Sequence, residues 1–149
     1  MIATQVQTLR RSHHFLANRE KVFRAWTDPQ ELKKWWGPGR YTTAWVEIDL
    51  RPGGQYRIAM QPPQGPLEYL FGTYVEVVAP ERLVMTWTSQ GSPRDDGHES
   101  LLTIEFIARG QETEVVLTHE RLPVASTGAY DSGWSSTLDH LQAHFSPAP

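Results

Sequence analysis

The chain has 149 residues, with 14 Lys plus Arg against 17 Asp plus Glu, a formal charge of -3 and no cysteine. A length of this order supports one hydrophobic core without a covalent or metal staple, so residues 1–149 are expected to form a single domain, and the missing cysteines exclude disulfides, thiolate metal centres and a cysteine nucleophile. A mildly acidic total without a Lys/Arg cluster excludes the basic footprint of a nucleic-acid partner, no run approaches the ~20 apolar residues of a membrane span, and the polar first fifteen residues lack the apolar stretch of a secretory signal, so a cytoplasmic protein is expected.

An extended segment over 5–16 opens the chain. Asn18 then suits the N-cap of a helix over 19–27, whose Val22, Phe23 and Trp26 share one face. In Asp28-Pro29-Gln30-Glu31, Asp28 can cap a second helix, Pro29 can take its first position and Glu31 can reach back as a capping box; this helix is expected to run to about Trp36. Adjacent tryptophans on a helix cannot both face one core, so one of Trp35 and Trp36 could be partly exposed beside Gly37-Pro38-Gly39 and the pair could form part of a cavity mouth, but plain packing beneath that loop is the expected role. Six strands follow, at 41–50, 55–61, 67–78, 82–89, 100–109 and 112–121. The turns Arg51-Pro52-Gly53-Gly54, Ala79-Pro80-Glu81 and Gly110-Gln111 are short enough for hairpins and too short for parallel crossovers, which predicts an antiparallel meander. The segment 90–100 is polar and turn-rich and reads as an exposed loop. A long amphipathic helix over 126–145 closes the body, and Ser146-Pro147-Ala148-Pro149 reads as a tail.

Alternation along the strands predicts one apolar face built from Tyr56, Ile58 and Met60, from Phe71, Val75 and Val77, from Leu83, Met85 and Trp87, from Leu102, Ile104 and Phe106, and from Val115, Leu117 and His119. Such a face needs a cover, and the helix stripe Tyr130, Trp134, Leu138, Leu141 and Phe145 is the long apolar surface left to supply it. His119 falls among apolar neighbours, where its ring must find a partner; a hydrogen-bonded core histidine is expected over a ligand contact. Glu47 and Asp49 share a strand face but alternate with Val46, Ile48 and Leu50, which places them in water rather than in an acid/base pair. His140 and His144 have the i, i+4 spacing of two metal ligands without a third, and a solvated helix face accounts for them. Gly133-Trp134-Ser135 lacks the setting of a nucleophile elbow, and Gly53-Gly54 joins two strands rather than opening a phosphate-binding helix. No catalytic residue, metal ligand or cofactor is read from these patterns.

The order strand, two short helices, six-stranded meander and long C-terminal helix comes with five ordered motifs: Val22-Phe23-Arg24-Ala25-Trp26-Thr27-Asp28-Pro29, Trp35-Trp36-Gly37-Pro38, Asp49-Leu50-Arg51-Pro52-Gly53-Gly54, Pro80-Glu81-Arg82-Leu83-Val84 and Gly133-Trp134. Together they resemble the heat-shock-protein-ninety ATPase activator-like family of the START-like (SRPBCC) helix-grip superfamily, over nearly the whole chain. Asn18 stands where that family usually has Pro, and is an equally sound N-cap. The resemblance implies an α+β helix-grip fold, a curved antiparallel sheet of about seven strands wrapped around the C-terminal helix, with two short helices after the first strand.

It also implies a space between sheet and helix that in this superfamily often holds a hydrophobic molecule. Tyr56, Ile58, Met60, Phe71, Met85, Trp87, His119, Trp134 and Leu138 are the corresponding lining residues, although a filled core would use the same side chains. The expected function is therefore binding of a small hydrophobic or aromatic molecule. The alternative implied by the family name is a chaperone-associated interaction protein in a stress response. The eukaryotic co-chaperone behind that name has an additional N-terminal domain, which this chain is too short to hold, so ATPase activation is not carried over. Some superfamily members are enzymes acting on hydrophobic substrates, a third reading, and a homodimer is compatible with all three.

Overall fold

The computed structural model of the protein describes residues 5–91 and 97–145; the tail motif and residues 92–96 of the predicted 90–100 loop lie outside them. Strand β1 (Val6–Phe15) leads into helices α1 (Arg19–Thr27) and α2 (Pro29–Leu32). Strands β2 (Thr42–Ile48), β3 (Gln55–Gln61), β4 (Glu68–Val78), β5 (Arg82–Gln90), β6 (Glu99–Arg109) and β7 (Glu112–Pro123) follow, then a short 3-10 turn and α3 (Thr127–Phe145). All seven strands form one curved antiparallel sheet in the order β1-β7-β6-β5-β4-β3-β2. The meander is the predicted one; β1 joins its far edge beside β7, and α1 with α2 carries the chain across to the opposite edge.

The short helices are set by their caps. Asn18 Oδ1 accepts from Lys21 N at 2.9 Å, and Asp28 Oδ1 accepts from Gln30 N at 2.9 Å with Pro29 at the first helical position. The second helix stops at Leu32, short of the expected Trp36, because Trp35 N and Trp36 N both turn back to Leu32 O at 3.2 and 3.0 Å. Freed from regular helical spacing, both rings are buried, which agrees with the expected packing role and not with partial exposure of one of them: Trp35 donates to Ala25 O at 3.1 Å, and Trp36 turns toward Trp87 and Trp134. Glu31 does not serve as a capping box partner; its Oε2 lies 2.9 Å from His144 Nε2. His140 Nδ1 lies 2.8 Å from Gly37 O, so the two-histidine face of α3 docks onto α2 and the glycine loop instead of facing solvent.

Strand alternation holds in β3, β5, β6 and β7, where Tyr56, Ile58, Leu83, Met85, Trp87, Leu102, Ile104, Phe106, Val115, Leu117 and His119 are buried. It fails in β4. The inward residues there are Glu68, Leu70 and Tyr74, with Leu70 paired to Ile58. Val75 is 56% exposed, and Phe71 lies on the outer face beside Arg57 and Thr88. A bulge between Tyr74 and Glu76 inserts one residue and returns Val77 to the core side, so counting back from Val77 at a period of two assigns Phe71 and Val75 to the wrong face. Opposite Tyr56, Gly72 leaves no room for a side chain: a Cβ there would sit 2.0 Å from Thr86 O, the atom to which Tyr56 donates at 2.6 Å.

Trp134, Leu138 and Leu141 of α3 are buried against the concave face as predicted. Arg11 pairs with Asp131, His13 Nε2 lies 2.7 Å from Gln142 Oε1, and Phe15 meets Phe145 edge-on, so the alternate residues of β1 hold α3 along its length. Glu47 and Asp49 are exposed, as expected. Among the described residues no helix is long and apolar enough to cross a membrane.

Candidate functional site

Indole rings converge where α1, α2, β5 and α3 meet. Trp134 lies 5.3 Å from Trp87, 5.8 Å from Trp36 and 6.1 Å from Trp26, centroid to centroid. Most of this region is packed solid, in the tilted and edge-on arrangements that suit aromatic quadrupoles. Beside it a partly enclosed cleft of about 50 Å³ remains between β3–β5 and α3. Trp36, Pro38, Met60, Leu70, Trp87, Tyr130 and Trp134 supply its apolar walls, Glu68 and Ser89 its polar ones, and the small Ala129 and Gly133 keep the helix side low. An apolar cavity of ~150 Å³ accommodates benzene, so a cleft of about 50 Å³ has room for only part of such a molecule.

The polar groups around the cleft are unevenly satisfied. Trp87 Nε1 donates to Tyr130 Oη at 3.1 Å, and Tyr41 Oη donates to Glu68 Oε2 at 2.8 Å. Glu68 Oε1 and Trp36 Nε1, on two side chains that line the cleft, are buried and have no hydrogen-bond partner among the described residues. Deeper in, Tyr56, Ile58 and Met85 border a second void of about 20 Å³ with Trp26, Trp36 and Leu102. Burial holds the Tyr56 and Tyr74 hydroxyls well above the ordinary phenol range, so they act as neutral groups.

His119 lies behind Trp87 and Trp134 rather than in the cleft wall. It is 0% exposed and its Nδ1 accepts from Trp134 Nε1 at 3.1 Å, which places the ring proton on Nε2, 2.8 Å from Ser100 Oγ. Ser100 in turn donates to Trp87 O at 3.2 Å. Every polar atom of the ring is paired, and burial pushes its pKa from 6.5 down to about 3, which makes it a neutral structural histidine.

Of the residues singled out in the sequence, the structure brings Met60, Trp87 and Trp134 together in the cleft, and Tyr56, Ile58 and Met85 around the deeper void. Leu138 and His119 are fully packed behind them, and Phe71 is on the other side of the sheet. The wall also contains Glu68, Tyr130, Ala129 and Gly133, which sequence reasoning did not select as lining, and Trp36, considered there as part of a cavity mouth or as packing beneath the glycine loop. Among the described residues no group of three or more His, Asp or Glu side chains could hold a metal ion.

Comparison with known proteins agrees with the fold. A search of curated proteins returns no match. Among solved structures, a Chromobacterium violaceum protein is 25% identical over 95% of this chain and 98% of its own, with a TM-score of 0.81. A Mycobacterium smegmatis protein is 22% identical over 98% of both chains, with a TM-score of 0.80, and an AHSA1 protein from Silicibacter pomeroyi is 24% identical over 92% and 96%, with a TM-score of 0.78. The family model described as Activator of Hsp90 ATPase homolog 1-like protein matches residues 16–146, from the residue after β1 and including all of α3, and the chain belongs to that family.

Proposed function

We propose that the chain binds a small hydrophobic or aromatic molecule whose apolar end enters the cleft between β3–β5 and α3. The observation that carries this reading is the aromatic-walled cleft itself, left beside Ala129 and Gly133. The fold, which commonly binds hydrophobic ligands, supports it. Met60, Trp87 and Trp134 form the contact surface in this reading, with Trp36 and Tyr130. Tyr56, Ile58 and Met85 come into reach if Trp36 or Trp87 swings aside, while His119 and Leu138 hold Trp134 in place.

Titration calorimetry and tryptophan fluorescence with benzene, toluene, indole and naphthalene test the proposal. Saturable binding with a negative heat-capacity change is expected, and Ala129→Leu, which fills the helix side of the cleft, should abolish it. Absence of binding across the panel would reject the proposal. The name of the matched family supports a second reading, association with a chaperone. That reading predicts ATPase stimulation by the purified chain, unchanged by Ala129→Leu.

A further inference from the structure

We propose that the molecule taken by this cleft carries a protonated amine, received by Glu68; the inference rests on the cleft being a ligand site. Glu68 opens β4 on the concave face, because inward alternation there runs through Leu70 and Tyr74. Its side chain is only 7% exposed, so its carboxylate must find donors inside the protein. The Tyr41 hydroxyl supplies one, to Oε2 at 2.8 Å. Oε1 is shielded from solvent and has no partner among the described residues. A carboxylate with this much acceptor capacity unused is a costly feature in a filled core.

The surroundings specify what would complete it. Glu68 is the one charged side chain among the described residues lining the cleft, so no cation of the chain offsets it there. Trp36, Trp87, Tyr130 and Trp134 present aromatic rings, whose faces attract cations and exclude water. A carboxylate oxygen without a donor, set among indole rings, matches an ammonium group on a short apolar or aromatic body. A neutral hydrocarbon would leave Oε1 unpaired, and an anion would meet repulsion. The cleft of about 50 Å³ limits the inserted portion to a few heavy atoms, with the rest of the molecule emerging past Ala129 and Gly133.

The test compares benzylamine, benzyl alcohol and toluene, which share a ring and differ in the group offered to Glu68, by calorimetry at neutral pH. Benzylamine is expected to bind the unmodified protein about tenfold or more tightly than either neutral probe, as a charge-assisted hydrogen bond requires. Glu68→Gln retains the side-chain shape and an acceptor for Tyr41; it should bring benzylamine down to the level of toluene measured on the same variant. Equal binding of the three probes to the unmodified protein, or benzylamine binding that survives Glu68→Gln, would overturn the amine inference while leaving a hydrophobic cleft in place. No binding of any probe would overturn the ligand-site reading and this inference with it. Should the glutamine variant fail to fold, the three-probe comparison on the unmodified protein decides alone.

Discussion

Replacing His119 with glutamine isolates the energetic consequence of keeping a histidine neutral inside the sheet. The unfolded chain takes up a proton on this ring as pH falls through 6.5, whereas the folded chain refuses it until about pH 3. Protonation therefore favours the unfolded state throughout that window: the stability associated with the neutral ring is complete above the unfolded pKa and is lost as pH falls toward the folded one. Its slope is about 1.4 kcal/mol per pH unit, so the loss reaches roughly 2.7 kcal/mol at about pH 4.5, against a total stability of ~5–15 kcal/mol for an ordinary domain. Glutamine does not titrate, yet its carbonyl can accept from Trp134 Nε1 and its amide can donate to Ser100 Oγ. Urea denaturation of both proteins, followed by far-UV circular dichroism from about pH 8 to about pH 4, gives the difference in unfolding free energy and removes the contributions of the other histidines. That difference should be flat at the alkaline end and then fall with the stated slope as the histidine protein weakens. Parallel stability curves across the whole range would refute the assignment of His119 as a buried, neutral ring.

Trp134→Ala removes a ring packed on Trp26, Trp36 and Trp87, and should cost about 3–5 kcal/mol for the void with roughly 1–3 kcal/mol more for the orphaned His119 acceptor; a loss below ~2 kcal/mol in urea denaturation would mean that these ring contacts and the His119 hydrogen bond contribute little beside the cleft. Gly72→Ala drives a Cβ to 2.0 Å from Thr86 O and should destabilise by ~1–3 kcal/mol or more. Gly128→Ala meets open space at the start of α3, and its thermal midpoint should be unchanged or raised. Asn18→Ala should lower stability by about 1 kcal/mol through loss of the α1 cap, while Asn18→Asp, which still offers an oxygen to Lys21 N, should be close to neutral in the same thermal assay.

The architecture was legible because its signals are local and redundant. Asn18, Asp28 and Pro29 fix the helix starts by cap chemistry, the short turns force antiparallel pairing, and the stripe through Trp134, Leu138 and Leu141 has one surface to cover. The site was legible in part, and the reason lies in β4. A bulge leaves no compositional mark in the run from Glu68 to Val78, and the β-branched Val75 and Val77 imitate an inward series. The phase error displaced Phe71 into the cleft on paper and hid Glu68 on the outside. Leu70 and Tyr74 give the opposite phase and could have exposed the ambiguity; choosing between the two requires knowing which residues sit opposite Ile58 and Met85. The two-histidine face of α3 misled for a related reason, since the groups it docks against, Gly37 O and Glu31, lie about a hundred residues away in the chain.

The position of β1 has a bearing on how the molecule assembles. Strands β2 to β7 pair with their sequence neighbours and can zip up hairpin by hairpin, but β1 pairs with β7, as His13 does with Val115, 102 residues further along the chain. Closing so large a loop is entropically unfavourable and slow compared with hairpin formation. On a ribosome β1, made before the other strands, is thus the strand that waits longest, with Phe15 unpaired until β7 has emerged. Refolding should accordingly be limited by docking of this N-terminal strand, and that waiting period is when the chain is most prone to associate with other apolar surfaces.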